Sequence, residues 1–114
     1  MSEAGRAEGR ANERKRVHWR ALILLPDWQA IPTSIVNISE SGTCIISPDT
    51  RPAGAMMQIV LFVPDLKHDG RVMPWLLKMK VAYSVLSGSG FQLGAQFLQP
   101  EAAAVEHIRA AMRR

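Results

Sequence analysis

Cysteine is almost missing from this 114-residue chain, in which Cys44 stands alone. One thiol cannot close an intramolecular disulfide, and neither a cysteine-based zinc site nor a redox pair can be built from it. Cys44 is therefore expected to be a small, buried, apolar side chain. No apolar run is long enough to cross a bilayer, and the opening MSEAGRAEGRANERKR has no apolar stretch that could serve as a signal peptide. A cytoplasmic protein without a membrane span is the expectation. Histidine is sparse, and His18, His68 and His107 fall on an arm, a loop and a helix without metal-ligand spacing, so each is expected to face solvent and no metal is expected. No nucleophile turn accompanies any Ser, His and Asp combination, and Asp65 and Asp69 merely flank a turn, so no enzyme is expected.

What the chain does contain suits one folded domain. Apolar residues make up 47% of it and charged residues 21%, an ordinary globular balance at a length that accommodates one core. The net charge of +4 is unevenly placed. Residues 1–20 carry six Arg or Lys against three Glu, and residues 105–114 carry three Arg against one Glu. Between them five basic residues face six acidic ones. The positive field thus lies at the two ends and suits an anionic partner met by the N-terminal segment.

Residues 1–13 are polar, rich in Gly and Ala and without periodicity, which marks them as a mobile arm ahead of a domain spanning 14–114. From Arg20 the run RALILLP reads as a strand ended by Pro26, and AIPTSIVNIS as an alternating strand with Val36 and Ile38 on one side and Ile35, Asn37 and Ser39 on the other. GTCIIS is a third strand, stopped by the loop PDTRPAG. AMMQIVLFV is nearly all apolar, as in a strand covered on both faces. In VMPWLLKMKVAYSVL, the residues Met73, Trp75, Leu77, Met79, Val81 and Tyr83 form the more apolar face, with Trp75 in the core. After the turn SGSG, Phe91, Leu93, Ala95 and Phe97 line one face of a sixth strand. Six strands with short turns and no helix between them predict an all-β, closed or nearly closed antiparallel barrel, because closure removes exposed edges. Beyond Pro100, EAAAVEHIRAAMRR predicts a C-terminal α-helix, with Glu101 at its positive end, Arg113 and Arg114 at its negative end, and Val105, Ile108 and Met112 on one packing stripe.

Two polar clusters flank the first strand. In ERKRVHWR, Arg16 and Arg20 are spaced Arg-x-x-x-Arg where the mobile arm meets the fold. A guanidinium is a planar fork of donors that matches phosphate or the O6 and N7 edge of guanine, and its face can stack on a base. Trp19 is expected to anchor this segment on the barrel. In NISESG, alternation is expected to place Asn37 and Ser39 together on the outer surface while Ile38 turns inward, with Gly42 leaving room at the turn for a ligand. By spacing alone the second cluster also fits a plain hairpin turn.

Arg16-x-x-x-Arg20, followed after a strand by Asn37-x-Ser39-x-x-Gly42, resembles the two-part signature of PilZ domains, bacterial receptors for cyclic di-GMP. Gly94 to Phe97 resembles the strand that closes their barrel, and the likeness covers about residues 13–112. The resemblance implies a six-stranded split-barrel PilZ fold and second-messenger signalling in motility, biofilm or exopolysaccharide control. Cyclic di-GMP would be bound by Arg14, Lys15, Arg16, Arg20, Asn37, Ser39 and Gly42, as a ligand and not a cofactor. The arginines would grip phosphates and a guanine edge, Asn37 would read the guanine, and Ser39 would hydrogen-bond the ligand. Binding would order the arm and present a surface to a protein effector partner.

Asn37 stands where the family also uses Asp, and an amide has one acceptor oxygen where a carboxylate has two, which lowers the expected affinity. Lys15 stands where an Arg in PilZ proteins accompanies capture of two intercalated ligand molecules. A Lys cannot stack as a plane, so one molecule per site is the expectation. Two alternatives remain beside this reading: a small basic nucleic-acid-binding barrel, which calls for aromatic residues on an exposed sheet face, and a PilZ-like interaction domain that binds no ligand.

Overall fold

A computed structural model of the chain describes residues 13–113. The expected mobile arm lies outside the described residues apart from Glu13, as does Arg114. Six strands follow one another, β1 (Lys15–Leu24), β2 (Ala30–Ile38), β3 (Gly42–Ser47), β4 (Met56–Pro64), β5 (Val72–Ser87) and β6 (Gly90–Phe97), and a helix, α1 (Ala102–Met112), ends the fold. All neighbouring strands are antiparallel and close a barrel in the order β1-β2-β3-β6-β5-β4. The predicted all-β barrel with a C-terminal helix is the observed architecture.

Period-two patterning builds it. Ala21 and Ile23 of β1, Met57, Ile59, Leu61 and Val63 of β4, Leu77, Met79 and Val81 of β5 and Leu93, Ala95 and Phe97 of β6 all point inward and are buried. Each fully buried Ile or Leu contributes roughly 1.5–3 kcal/mol against exposure. The alternation begins earlier than the apolar run suggests: β1 starts at Lys15 and not Arg20, because Val17 and Trp19 pack against the core while Arg16, His18 and Arg20 face out. Arg16 and Arg20 are therefore strand residues, a correction to their expected place on a loose segment. β1 pairs with β2 along its whole length but with β4 only from Ala21 to Leu24.

Three irregularities break strict alternation. Between Arg16 and Trp19, β1 carries one more residue than β2 opposite it. Between Ile35 and Asn37, β2 carries one more than β3, so Ile35 joins Ile38 in the core and the expected pairing of Val36 with Ile38 on one face does not hold. Between Val81 and Tyr83, β5 carries one more than β6, which turns Tyr83 outward instead of leaving it on the inner face with Val81.

α1 packs on the barrel chiefly through Ala104, Ile108 and Ala111, with Met112 partly buried; small alanines, and not Val105, make the close contact. His107 is part-buried and not solvent-facing as expected. Its Nδ1 accepts from Trp75 Nε1 at 2.9 Å and its Nε2 lies 2.8 Å from the Pro64 carbonyl, so one neutral imidazole ties the helix to β4 and β5. No helix among the described residues is long and apolar enough to cross a membrane.

The distribution of charge is sharper than the composition suggests. No Asp or Glu occurs in any of the six strands, whereas Lys15, Arg16, Arg20, Lys78 and Lys80 all do. The barrel wall is apolar and basic, and the acidic residues sit in turns, in the helix or at the N-terminal end.

Candidate functional site

Strand register assembles the site. Arg16 lies opposite Asn37, Asn37 opposite Cys44, Cys44 opposite Gly94 and Gly94 opposite Tyr83, a single row across β1, β2, β3, β6 and β5. Directly paired residues share a face, and here it is the outer one: Arg16 and Tyr83 are exposed, and Cys44 is buried yet separate from the barrel core. The bulges of β1 and β2 fall at this row, where they re-aim the side chains that carry the chemistry.

Asn37 lies next to Arg16 in the row. Its Oδ1 accepts a hydrogen bond from Arg14 Nη1 at 2.7 Å, and its backbone carbonyl accepts from Thr43 Oγ1 at 2.6 Å. The amide's orientation is thus set by an arginine, with its NH₂ donors and one oxygen lone pair left for a ligand. On one side of Asn37 lies a groove of about 720 Å³ lined by Arg16, Val17, His18, Val36 and Gln92. On the other, Arg14 reaches a small cleft of about 180 Å³ bounded by Ser41, Tyr83, Gly94 and Gln96. The wall between them is cationic and apolar, suited to an anion that carries flat rings.

Not every predicted residue joins this arrangement. Arg14, Arg16 and Asn37 come together. Arg20 does not: it pairs with Ser34, three residues along β2 from Asn37, and lines a separate hollow with Trp19, Leu22, Phe62 and Val72. Lys15 donates from Nζ to the Met112 carbonyl at 2.5 Å, at the end of α1 where helix carbonyls lack partners within the helix. Ser39 is buried and does not project outward. Its Oγ accepts from the backbone N–H of Gly42 at 3.1 Å and of Ser41 at 3.3 Å, so it shapes the turn that follows Asn37. Gly42 makes room for a strand, since a Cβ there would stand 2.3 Å from the Ala95 carbonyl oxygen of β6, and it also lines the small cleft that Arg14 reaches.

Three residues of the site escaped sequence reasoning: Cys44, Gln92 and Tyr83. Cys44 Sγ lies 3.5 Å from Gln92 Oε1 beneath the row, and burial raises its pKa above the ordinary thiol value. Tyr83 covers Gly94 so closely that a Cβ on that glycine would meet the ring at 2.2 Å. The glycine in GFQLGAQF, read only as a strand residue, was the available signal that something lies across it.

The C-terminal helix borders the site. Glu40 Oε1 accepts from Arg109 Nη2 at 2.8 Å, and this hydrogen bond holds the Glu40 carboxyl below its ordinary pKa. Together with Lys15 on Met112, this pair walls a hollow of about 510 Å³ lined by Glu13, Arg14, Lys15, Glu40, Arg109 and Arg113. No cluster of His, Cys, Asp and Glu able to hold a metal ion occurs among the described residues.

No family model and no curated protein sequence matches the chain. Solved structures do. The Bacillus subtilis inhibitor of motility, MotI/DgrA, superposes with a TM-score of 0.73 at 15% identity, covering 89% of this chain and 48% of that one. Escherichia coli YcgR in complex with c-di-GMP gives 0.64 at 12%, covering 85% and 41%, and its PilZ domain with c-di-GMP gives 0.61 at 13%, covering 88% and 86%. A tetrameric PilZ domain protein from Xanthomonas campestris gives 0.56 at 18% identity over 75% and 44%. The chain spans about half or less of the length of the first two proteins and most of the isolated PilZ domain. Its fold is PilZ-like.

Proposed function

We propose that this PilZ-like barrel is a receptor for cyclic di-GMP, with no chemistry of its own. The observation that carries the reading is the cationic row on a wall without acid, in which Arg14 and Arg16 converge on Asn37 beside a groove of about 720 Å³. That volume is in the range of small-molecule sites. Support comes also from the fold, which the chain shares with the c-di-GMP-bound PilZ domain of YcgR.

In this reading the guanidinium groups of Arg14 and Arg16 receive the phosphates and one guanine edge, and Asn37 presents its amide to the other polar edge of the base. Asn37 Oδ1 has a second lone pair, so it accepts from guanine N1–H without releasing Arg14. Tyr83 bounds the far side of the row. Ser39 and Gly42 act through the turn and the β3–β6 seam, holding Asn37 in place without touching the ligand. Arg20 contributes as a more distant cation.

Ligand binding also alters the border with α1. Lys15, now on the Met112 carbonyl, is the next cation that the ligand's phosphodiesters recruit. Its movement loosens the end of the helix and changes the surface offered to an effector protein in motility, biofilm or exopolysaccharide control. The switch thus lies in residues 14–16 and the helix end, not in a free arm bearing Arg16 and Arg20. A nucleic-acid barrel is disfavoured because, among the described residues, Tyr83 is the one exposed aromatic in any strand, which is too few for a base-stacking face.

Isothermal titration with cyclic di-GMP tests the reading. Saturable binding at one molecule per chain, lost on Asn37→Ala with the fold intact by circular dichroism, is the expected result. No heat and no saturation at high micromolar ligand would refute it.

A further inference from the structure

The barrel wall centred on β4 carries a second surface, which the dinucleotide reading meets only at its border, in Arg20. On the outer face of β2, β1, β4 and β5, register places Pro32, Leu22, Val60 and Leu76 side by side. The next rows along β4 and β5 are Phe62 with Pro74 and Pro64 with Val72. Leu76 is 60% exposed and Val72 53%. The first row is three strand spacings, about 14 Å, wide and narrows to the β4–β5 pair over the next two rows, where Arg20 of β1 borders Phe62.

The adjoining rows are basic. Gln58 pairs with Lys78 and Met56 with Lys80, and among the described residues neither lysine is in an ion pair. Where the face ends, a hollow of about 470 Å³ opens between Leu24, Pro26, Met57, Arg51 and Lys78. Arg51 Nε lies there buried with no hydrogen-bond partner, the one such side-chain atom among the described residues. A buried donor without an acceptor is costly, and a charged one more so. Arg51 Nε is thus left without an acceptor although Gln58 also lines the hollow, and the two cations there, Arg51 and Lys78, suit a carboxylate.

We propose that this wall is the docking face for a short acidic segment of a partner protein, whose apolar side chains cover the Leu22–Val60–Leu76 row and whose carboxylate pairs with Arg51 and Lys78. Charge selects this occupant over a second copy of the chain. A two-fold contact through the face would set Lys78 and Lys80 against the copy's own cations, with no strand carboxylate to answer them. Size points the same way, because the apolar face is well below the roughly 800 Å² per partner of a standard protein interface and matches the width of one helix. Residues 1–12 of the chain itself do not fit, having two Glu balanced by two Arg and no large apolar residue besides Met1.

The test is panning of a random 16-residue peptide library against the immobilised full chain, followed by solution titration of the enriched peptides. Enriched peptides should carry a net negative charge and two or more large apolar residues. They should bind at least ten-fold more weakly to Leu76→Ser and to Arg51→Gln, both checked by circular dichroism for an intact barrel. Enrichment of neutral or basic peptides, no enrichment, or affinities unchanged in both variants would overturn the proposal. So would a Leu76-dependent dimer in sedimentation, which assigns the face to a second copy. Leu76-dependent binding to phosphatidylglycerol vesicles without binding of acidic peptides would overturn it in favour of a lipid surface.

Discussion

Replacing Gly42 by alanine separates two explanations of a residue that the motif alone assigns to the ligand. An ideal Cβ at that position stands 2.3 Å from the Ala95 carbonyl oxygen and 3.2 Å from the Gln96 Cα, all in backbone that cannot rotate away. Relief requires β3 and β6 to separate by roughly 1 Å, at a seam where Gly42 pairs with Gln96, Thr43 with Ala95 and Cys44 with Gly94. Overpacking of a closed core costs about 1–3 kcal/mol, and a backbone clash without a flexible partner belongs at the upper end. For a domain of this size that lowers Tm on the order of 10 °C. Urea denaturation followed by tryptophan fluorescence should show a lower midpoint at unchanged slope. If Gly42→Ala keeps wild-type stability while cyclic di-GMP affinity falls, the glycine serves the ligand and the reading of the β3–β6 seam is wrong.

Other expectations follow from the same geometry. By titration calorimetry, Arg16→Ala should weaken cyclic di-GMP binding by about 1.5–3 kcal/mol, the worth of a charge-assisted hydrogen bond, and Arg20→Ala by clearly less, because Arg16 and not Arg20 faces Asn37; the reverse order would contradict the assigned row. The Glu40–Arg109 pair should make only a small contribution to stability, because solvent screens both groups. Since the Glu40 carboxyl is lowered in the folded state, that contribution is complete above the ordinary carboxylate value and disappears as pH falls through the lowered one. Glu40→Gln should therefore lie below wild type in Tm at pH 7, and the gap should close as pH is lowered through the carboxylate range. His107→Leu should cost about 1–3 kcal/mol in chemical denaturation, because it strands the Trp75 Nε1–H and the Pro64 carbonyl together.

The barrel was legible because most strands alternate cleanly: Leu77, Met79 and Val81, or Leu93, Ala95 and Phe97, need only period two to be placed inside. The start of β1 was hidden because Val17 and Trp19 are interleaved with Arg16, His18 and Arg20, so an inward stripe of two residues reads as a basic tail. Bulges defeated the remaining assignments. The extra residues near Val36 and Ala82 shift facing by one step, and nothing local distinguishes a strand with a bulge from one without. Arg14, Arg16 and Asn37 were named from residue type and order, and the fold brings these three together. Cys44, Gln92 and Tyr83 could not be, since their place depends on which strands pair and in which register. The outward projection expected of Ser39 did not hold, because its hydroxyl is turned into the tight turn that ends at Gly42.

The pairing of β1 is lopsided: from Ala21 to Leu24 it is hydrogen-bonded on both sides, whereas from Lys15 to Arg20 only β2 holds it. Fraying of that single-sided half leaves the rest of the barrel closed, so it is a low-energy opening set apart from global unfolding. By hydrogen exchange, amide protons at residues 15–20 should therefore exchange sooner than those at 21–24. The half of β1 that carries Arg16 can thus open and close again while the rest of the barrel stays shut.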